Sequence, residues 1–538
     1  MLDGFTPWPA ERAARYRELG YWIDRPLGSL LRARAAASPT HPALVDGPTR
    51  LTYAELDDAV DRLAAGLAGI GLRCGDRILV QLPNIPEFVE LCFAAFRIGV
   101  IPVLVPPAHR IAELSALASI SGAVGYVVQD RLGGFDYRAL ARELREREPG
   151  VRQVLVVGEP DAEAGQIAFG TLFDTPADEP VPLPDPNPAD VAVLLLSGGT
   201  TGRPKLIPRT HNDYHYNARA SAAVTGLSAD DVYLAALPVS HNFPLACPGV
   251  LGTVSVGGTV VLAPTPSAED CFALIAREKV TVTALVPPIA QHWLEEAESP
   301  HPDLSSLRLL QVGGARLADE VAARVRPLLG CQLQQVFGMA EGLLNYTSVD
   351  DPDELIATTQ GLPLAPDDEV LLVGADGDPV PEGEPGELLT RGPYTFNGYY
   401  REPEHNARSF TPDGYFRSGD LVRRGPTGHL AVVGRVKDQI NRGGEKIAAE
   451  DLEAHVSTHP GVRQVAVVGV PDALLGERIC VCVVPADAPP SLPALRRFLR
   501  ERGVSTLLIP DRLELTDRLP LTAVGKVDKK ALAGRYAA

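Results

Sequence analysis

Residues 197–211 read SGGTTGRPKLIPRTH and follow an apolar run, 191-VAVLLL-196. Every residue of 197–205 except Pro204 is Gly, Ser, Thr, Arg or Lys. Such a segment can wrap backbone N–H groups and hydroxyls around phosphate oxygens, with Lys205 as a point charge. It is not a Walker A loop, which ends in Gly-Lys-[Ser/Thr]; here Gly202 is followed by Arg203 and Pro204, and Lys205 by Leu206. Taken alone, the string also reads as a Gly-rich turn between two strands. Five further segments carry chemically capable residues: 241-HNFPLACPG-249, 335-QVFGMAEGLLNYT-347, 415-YFRSGDLV-422, 434-GRVKDQINRGGEKI-447 and 521-LTAVGKVDKK-530. A carboxylate such as Glu341 can ligate a cation that bridges phosphates. Asp420 can accept from two hydroxyls. Out of context, an Asp after Gly is more often a plain turn, and Lys526 beside Lys529 and Lys530 a solvated charge.

The elements that must position these residues alternate. Thr52 and Glu55 form a capping-box pattern before Leu56, Val60, Leu63 and Leu67, which share one helical face. A strand-like run at 77–82, a helix-like run from Pro86 to Gly99 and a strand-like run at 101–105 follow. This is the rhythm of a mostly parallel sheet. The Pro- and Asp-rich stretch 176–190 reads as a surface connection, and 191–197 as a strand. A second rhythm begins near residue 448: a helix over 448–457, strands at 464–470 and 479–485, and a helix over 492–503. About 100 residues there suffice for a small domain.

The chain has 538 residues, 45% apolar and 22% charged, with a net charge of −18. That length allows three or four folding units. The negative surface argues against nucleic acid and anionic membranes as partners. The seven cysteines (74, 92, 247, 271, 331, 480, 482) show no CxxC pair and no Cys/His metal spacing, which suits a reducing compartment. No signal-peptide pattern opens the chain, and no apolar run approaches the ~20 residues of a membrane span. The expectation is a cytoplasmic protein, monomer or homodimer. Seven of the 50 basic residues are Lys (205, 279, 437, 446, 526, 529, 530). Codon bias accounts for the scarcity, though not for where the lysines remain.

In order, and spread over about 330 residues, the six segments resemble the successive core motifs of the adenylate-forming superfamily: acyl-CoA synthetases, peptide-synthetase adenylation domains and luciferases. HNFPL, FGMAEG and NRGGEK resemble those of stand-alone aryl-acid AMP ligases of siderophore-type pathways. The resemblance covers essentially the whole chain. It implies an α/β fold, with a large multi-sheet N-terminal adenylation domain over residues 1–436. A small mobile α+β C-terminal domain follows over 437–538, and the site lies between them.

It also implies a reaction in which ATP and an aryl acid give aryl-AMP and pyrophosphate, and the acyl group then passes to a phosphopantetheine thiol. The thiol belongs to a separate aryl carrier protein or, alternatively, to coenzyme A. A luciferase-like oxygenase and an inactive adenylate-binding scaffold are the other readings; the aryl-acid motifs disfavour the first. The presence of Lys526, Glu341 and Asp420 disfavours the second.

By the same resemblance Ser197, Gly198, Gly199, Thr200, Thr201, Gly202 and Lys205 form the phosphate loop. Gly313, Gly314 and Ala315, with Val336, Phe337 and Gly338, frame adenine. Asp420 accepts from both ribose hydroxyls, assisted by Arg435, and Glu341 holds Mg²⁺ with Thr200 or Thr201. Lys526 lies against the substrate carboxylate and the α-phosphate. Lys437 is the hinge, and Gly443 and Gly444 line the pantetheine tunnel. Asn242 contacts the substrate carboxylate and ortho-hydroxyl, His241 stands at the entrance, and Phe243, Gly313 and Val336 border the ring. Relatives that take 2,3-dihydroxybenzoate usually have Ser in place of Cys247 and Val in place of Leu344. Cys is a poor partner for a 3-hydroxyl, and Leu narrows the space beside the ring. Both favour salicylate or an alkyl-salicylate over 2,3-dihydroxybenzoate.

Overall fold

The computed structural model describes all residues except 1, 175–184, 198–203, 315–316, 318, 375, 436–439, 448, 487, 521–526, 528 and 538, and omits the side chains of 320, 433–435, 446, 450, 451 and 454. The first capping box forms as the residues dictate. Thr52 Oγ1 accepts from the Glu55 N–H and the Glu55 carboxylate accepts from the Thr52 N–H, starting the helix Tyr53–Gly69. Leu56, Val60, Leu63 and Leu67 are all buried along it. The strand Arg77–Gln81 pairs in parallel with Ile101–Leu104, and the helix Pro86–Ile98 crosses between them. Proline in its first turn and left-handed Gly99 after its end set its limits.

Two mostly parallel sheets follow from this rhythm. Among the described residues, one has seven strands in the order Lys205–Thr210, Val191–Ser197, Ile101–Leu104, Arg77–Gln81, Gly125–Gln129, Gln153–Val157, Ile167–Ala168. Its one antiparallel pair is the edge, Val191–Ser197 with Lys205–Thr210. The other has nine strands; its middle runs Gln332–Met339, Leu309–Gly313, Val282–Leu285, Val232–Ala235, Thr259–Leu262 in parallel. One apolar core joins both sheets through the helices Tyr53–Gly69, Pro86–Ile98, His211–Val224 and Gly249–Val256. A four-stranded antiparallel sheet carries Asp420 on Phe416–Arg424, paired opposite Arg435 on Leu430–Arg435.

From residue 440 onward a separate sheet has its own two cores. Val462–Asp472 and Gly476–Pro485 form its long antiparallel pair. Alternation along them sends Val467, Ile479, Val481 and Val483 to one face, under the helices Ala449–Val456 and Leu492–Glu501. Ala466, Val468, Cys480 and Cys482 face the other side, where Leu532 of the helix Lys529–Tyr536 covers them. Among the described residues no helix is long and apolar enough to cross a membrane.

The segment after the phosphate string is held by a buried ion pair. Thr210 and Asp213 form a second capping box that starts the helix His211–Val224. Arg209 Nε donates to Asp213 Oδ1 (2.6 Å), with both side chains fully buried. Its Nη1 donates to the Ala340 carbonyl (2.9 Å), and its Nη2 to the Tyr394 carbonyl (3.2 Å) and Asn217 Oδ1 (3.4 Å). Asp213→Ala strips this guanidinium of its counter-charge, which costs about 3–5 kcal/mol. The expected result is a clear fall in the thermal midpoint, and an unchanged midpoint would contradict this account of the pair.

Candidate active site

A cavity of about 740 Å³ opens where strands of both large sheets end. Ser197, Gly313 and Gly338 reach it from the carboxyl ends of Val191–Ser197, Leu309–Gly313 and Gln332–Met339. Ligands in open α/β sheets commonly bind at such strand ends. Asp420 reaches it from the antiparallel sheet, and Gly443, Gly444 and Glu445 from the C-terminal sheet.

One end is polar. Ser197 and Lys205 face each other as the last pair of the antiparallel edge, so the strands bring both ends of the Gly-rich string to the cavity. Lys205 is 3% exposed, with Nζ 5.6 Å from the ring centre of Tyr399. Tyr399 Oη donates to Glu341 Oε1 (2.8 Å). Burial, followed by the charge of Glu341, pushes the Tyr399 phenol far above its ordinary range, so it stays a donor. Glu341 is also held from behind, because its carbonyl accepts from the Phe396 N–H (2.8 Å).

The other end is mostly apolar. Phe243 lies so close to Gly313 that a Cβ there would stand 3.1 Å from the ring. Cys247 is buried, and burial pushes its thiol up to about 12, so it remains protonated. Asn242 Nδ2 donates to Cys247 Sγ (3.4 Å), and Asn242 Oδ1 accepts from Tyr214 Oη (2.8 Å). The Leu344 N–H donates to Tyr394 Oη (3.0 Å), which donates to Asp368 Oδ2 (2.6 Å), pinning the strand that presents Leu344. His109, also on the wall, is lowered to about 4 by burial and then by His241, which leaves it neutral.

The C-terminal part closes the third side. Gly444 has φ +87°, and a Cβ on it would lie 2.9 Å from Val286 Cγ1. No side chain fits there, and glycine takes that conformation without strain. His241 Nε2 stands 3.5 Å from Glu445 Oε1 across the seam. Glu113 Oε1 accepts from the Ser505 N–H (2.9 Å), joining the helix Ile111–Ser121 to the turn Thr506–Leu508. Ile447 is on the cavity side of the C-terminal sheet, whereas Val527 packs on the opposite face.

The sequence-predicted residues Ser197, Lys205, His241, Asn242, Phe243, Cys247, Gly313, Gly314, Val336, Gly338, Glu341, Leu344, Asp420, Gly443 and Gly444 all line this one cavity. Phe337 is not on its wall and packs into the main core instead, because alternate residues of a strand face opposite ways. Arg435 is placed by its backbone pairing with Asp420. Gly198, Gly199, Thr200, Thr201, Gly202, Ala315, Lys437 and Lys526 lie outside the described residues. Sequence reasoning missed Tyr399, Glu113, Glu445, His109 and Tyr214. Glu445 was the one with a signal, inside the quoted NRGGEK segment. Among the described residues no group of three or more His, Cys, Asp or Glu side chains is placed to hold a metal ion.

The chain matches the AMP-binding enzyme family over residues 31–400 and the AMP-binding enzyme C-terminal domain over 451–526. It is 52% identical over 532 residues to a 2,3-dihydroxybenzoate-AMP ligase of Bacillus subtilis, covering 99% of this chain and 97% of that one. It is 52% identical over 536 residues to a salicyl-AMP ligase / salicyl-S-ArCP synthetase of Mycobacterium tuberculosis, covering 99% and 94%. Among solved structures it is similar to apo MbtA of Mycobacterium smegmatis, with a TM-score of 0.77, 53% identity and 99% of both chains covered. With its large sheets and its C-terminal sheet each matched, the chain belongs to the AMP-binding enzyme family.

Proposed function

We propose that this enzyme activates an aryl acid, salicylate before others, as its adenylate and passes the acyl group to the phosphopantetheine thiol of a carrier protein. The observation that carries the reading is the apolar end of the cavity. Among the described residues Asn242 offers the only amide on the cavity wall, and Cys247 and Leu344 also line it. The names of the two relatives, a salicyl-AMP ligase / salicyl-S-ArCP synthetase and a 2,3-dihydroxybenzoate-AMP ligase, support the substrate class, and the first also supports the carrier.

In the first half-reaction a carboxylate oxygen attacks the α-phosphorus of ATP, and pyrophosphate leaves with the bridging electron pair. In the second a thiol attacks the acyl carbonyl and AMP leaves. The first step brings anions together, so catalysis is mainly positioning and charge neutralisation. In this reading Lys205 and the string 197–202 hold the phosphates, and Asp420, with Arg435, holds the ribose hydroxyls. Lys526 meets the attacking carboxylate. The donor set suits Mg²⁺, which takes one or two protein carboxylates and fills its remaining positions with phosphates and water. Glu341, beside the phosphate end and with Thr200, would hold it, and when bound it neutralises phosphate charge.

We place the division between the two domains at residues 436 and 437, with Lys437 as the hinge. Gly443 and Gly444 on the cavity wall and Val527 on the far face of the C-terminal sheet support an arrangement made for thiol transfer. Adenylation would then require the small domain to turn and bring Lys526 in.

Three measurements test this. In ATP–pyrophosphate exchange, salicylate is expected to exceed 2,3-dihydroxybenzoate in kcat/KM, because an unpaired 3-hydroxyl costs about 1–3 kcal/mol. The reverse order would overturn the substrate choice. Cys247→Ser with Leu344→Val is expected to raise activity on 2,3-dihydroxybenzoate, and no change would place ring selection elsewhere. Lys526→Ala is expected to abolish exchange while ATP binding stays measurable by calorimetry; surviving turnover would remove Lys526 from the chemistry.

A further inference from the structure

We propose that Tyr214 is a positioning residue for substrate choice, fixing the amide of Asn242 so that one N–H and one carbonyl lone pair face the carboxylate and the ortho substituent of the ring. The inference rests on the reading that Asn242 meets the aryl acid. Tyr214 is fully buried in the helix His211–Val224 and is not part of the cavity wall, so it acts only through Asn242.

An asparagine amide carries two N–H donors and an oxygen with two lone pairs, and it can present either end by rotating. Here the protein holds both ends. Tyr214 Oη donates to Oδ1 (2.8 Å), and Nδ2 donates to Cys247 Sγ (3.4 Å). The phenol is itself held, with Arg209 Cζ 4.8 Å from the centre of its ring. Burial keeps the phenol protonated and so able to donate, and the two contacts together set the amide, with Oδ1 toward the phenol and Nδ2 toward the sulfur. One N–H and one lone pair of Asn242 remain for a ligand. A carboxylate oxygen or the ortho oxygen can accept from the N–H, but only a donor such as an ortho-hydroxyl can satisfy the lone pair. A ring without that hydroxyl leaves the lone pair unmet, the costly side of hydrogen bonding in a dry site. Without the Tyr214 hydroxyl the amide is free to turn, and the discrimination weakens.

The test is Tyr214→Phe in the full chain, with exchange kinetics on salicylate and on benzoate. The ratio of kcat/KM for salicylate over benzoate is expected to fall about tenfold, through KM for the acid, while KM for ATP holds. An unchanged ratio, or an equal loss on both acids with a raised KM for ATP, would overturn the proposal. Asn242→Ala separates the two layers. If it leaves the ratio at the parent value, the reading of Asn242 itself fails. If it collapses the ratio while Tyr214→Phe does not, only the role of Tyr214 fails. In the Asn242→Ala background, Tyr214→Phe is expected to add nothing, and any further drop in the ratio would count against action through Asn242.

Discussion

A guanidinium with no exposed surface must place its N–H groups on acceptors inside the protein, and Arg209 does so with a carboxylate, two backbone carbonyls and a side-chain amide. Those acceptors come from three separate places: Asp213 and Asn217 on the next helix, Ala340 beside Glu341, and Tyr394 below Leu344. A buried pair of this kind adds little net stability, since desolvation offsets the attraction. What it adds here is position. The edge strand that begins at Lys205, the loop that carries Glu341 and the strand that carries Leu344 are all referred to one planar group. The polar and apolar ends of the cavity are therefore held in register with each other, as a carboxylate attacking a phosphate requires.

Each end has a different kind of support. At the phosphate end the contacts are between charged or strongly polar groups, as where Tyr399 donates to Glu341 near Lys205. At the acid end they are weaker and more directional. Cys247 is a small apolar part of the cavity wall and also the acceptor for the amide of Asn242. Considered as a residue type alone, cysteine reads as a poor hydrogen-bonding partner. Its placement makes the sulfur useful to the protein, which leaves it less useful to a substrate hydroxyl.

Much of this was legible in the linear chain because it depends on local pattern. The Thr52–Glu55 capping box, the proline and glycine around the helix Pro86–Ile98 and the alternation over 464–470 each state their structure within a few residues. The six motif segments likewise supply about half of the cavity wall, Phe337 being turned away by strand alternation. What escaped were contacts between positions far apart in sequence. Tyr399 reaches Glu341 across 58 positions, and Glu113 reaches Ser505 across 392. Neither residue carries a local mark of its partner. Arg209 and Asp213 are four apart, a helical spacing, but Arg209 is on the strand before the helix, and nothing nearby shows that both are buried.

At two points the seam between the large sheets and the C-terminal sheet is met by the backbone of the C-terminal part. Glu113 recognises Ser505 through its N–H, which nearly any residue at that position would offer, and Gly444 meets Val286 by having no side chain at all. Apart from the glycine at 444, these two points ask the C-terminal part for the path of its chain and not for particular side chains. That lets the C-terminal part drift, or be exchanged for that of a relative, without new side-chain matching at these two points. Diversity can then accumulate on the outward face of the C-terminal part while the geometry over the cavity stays constant.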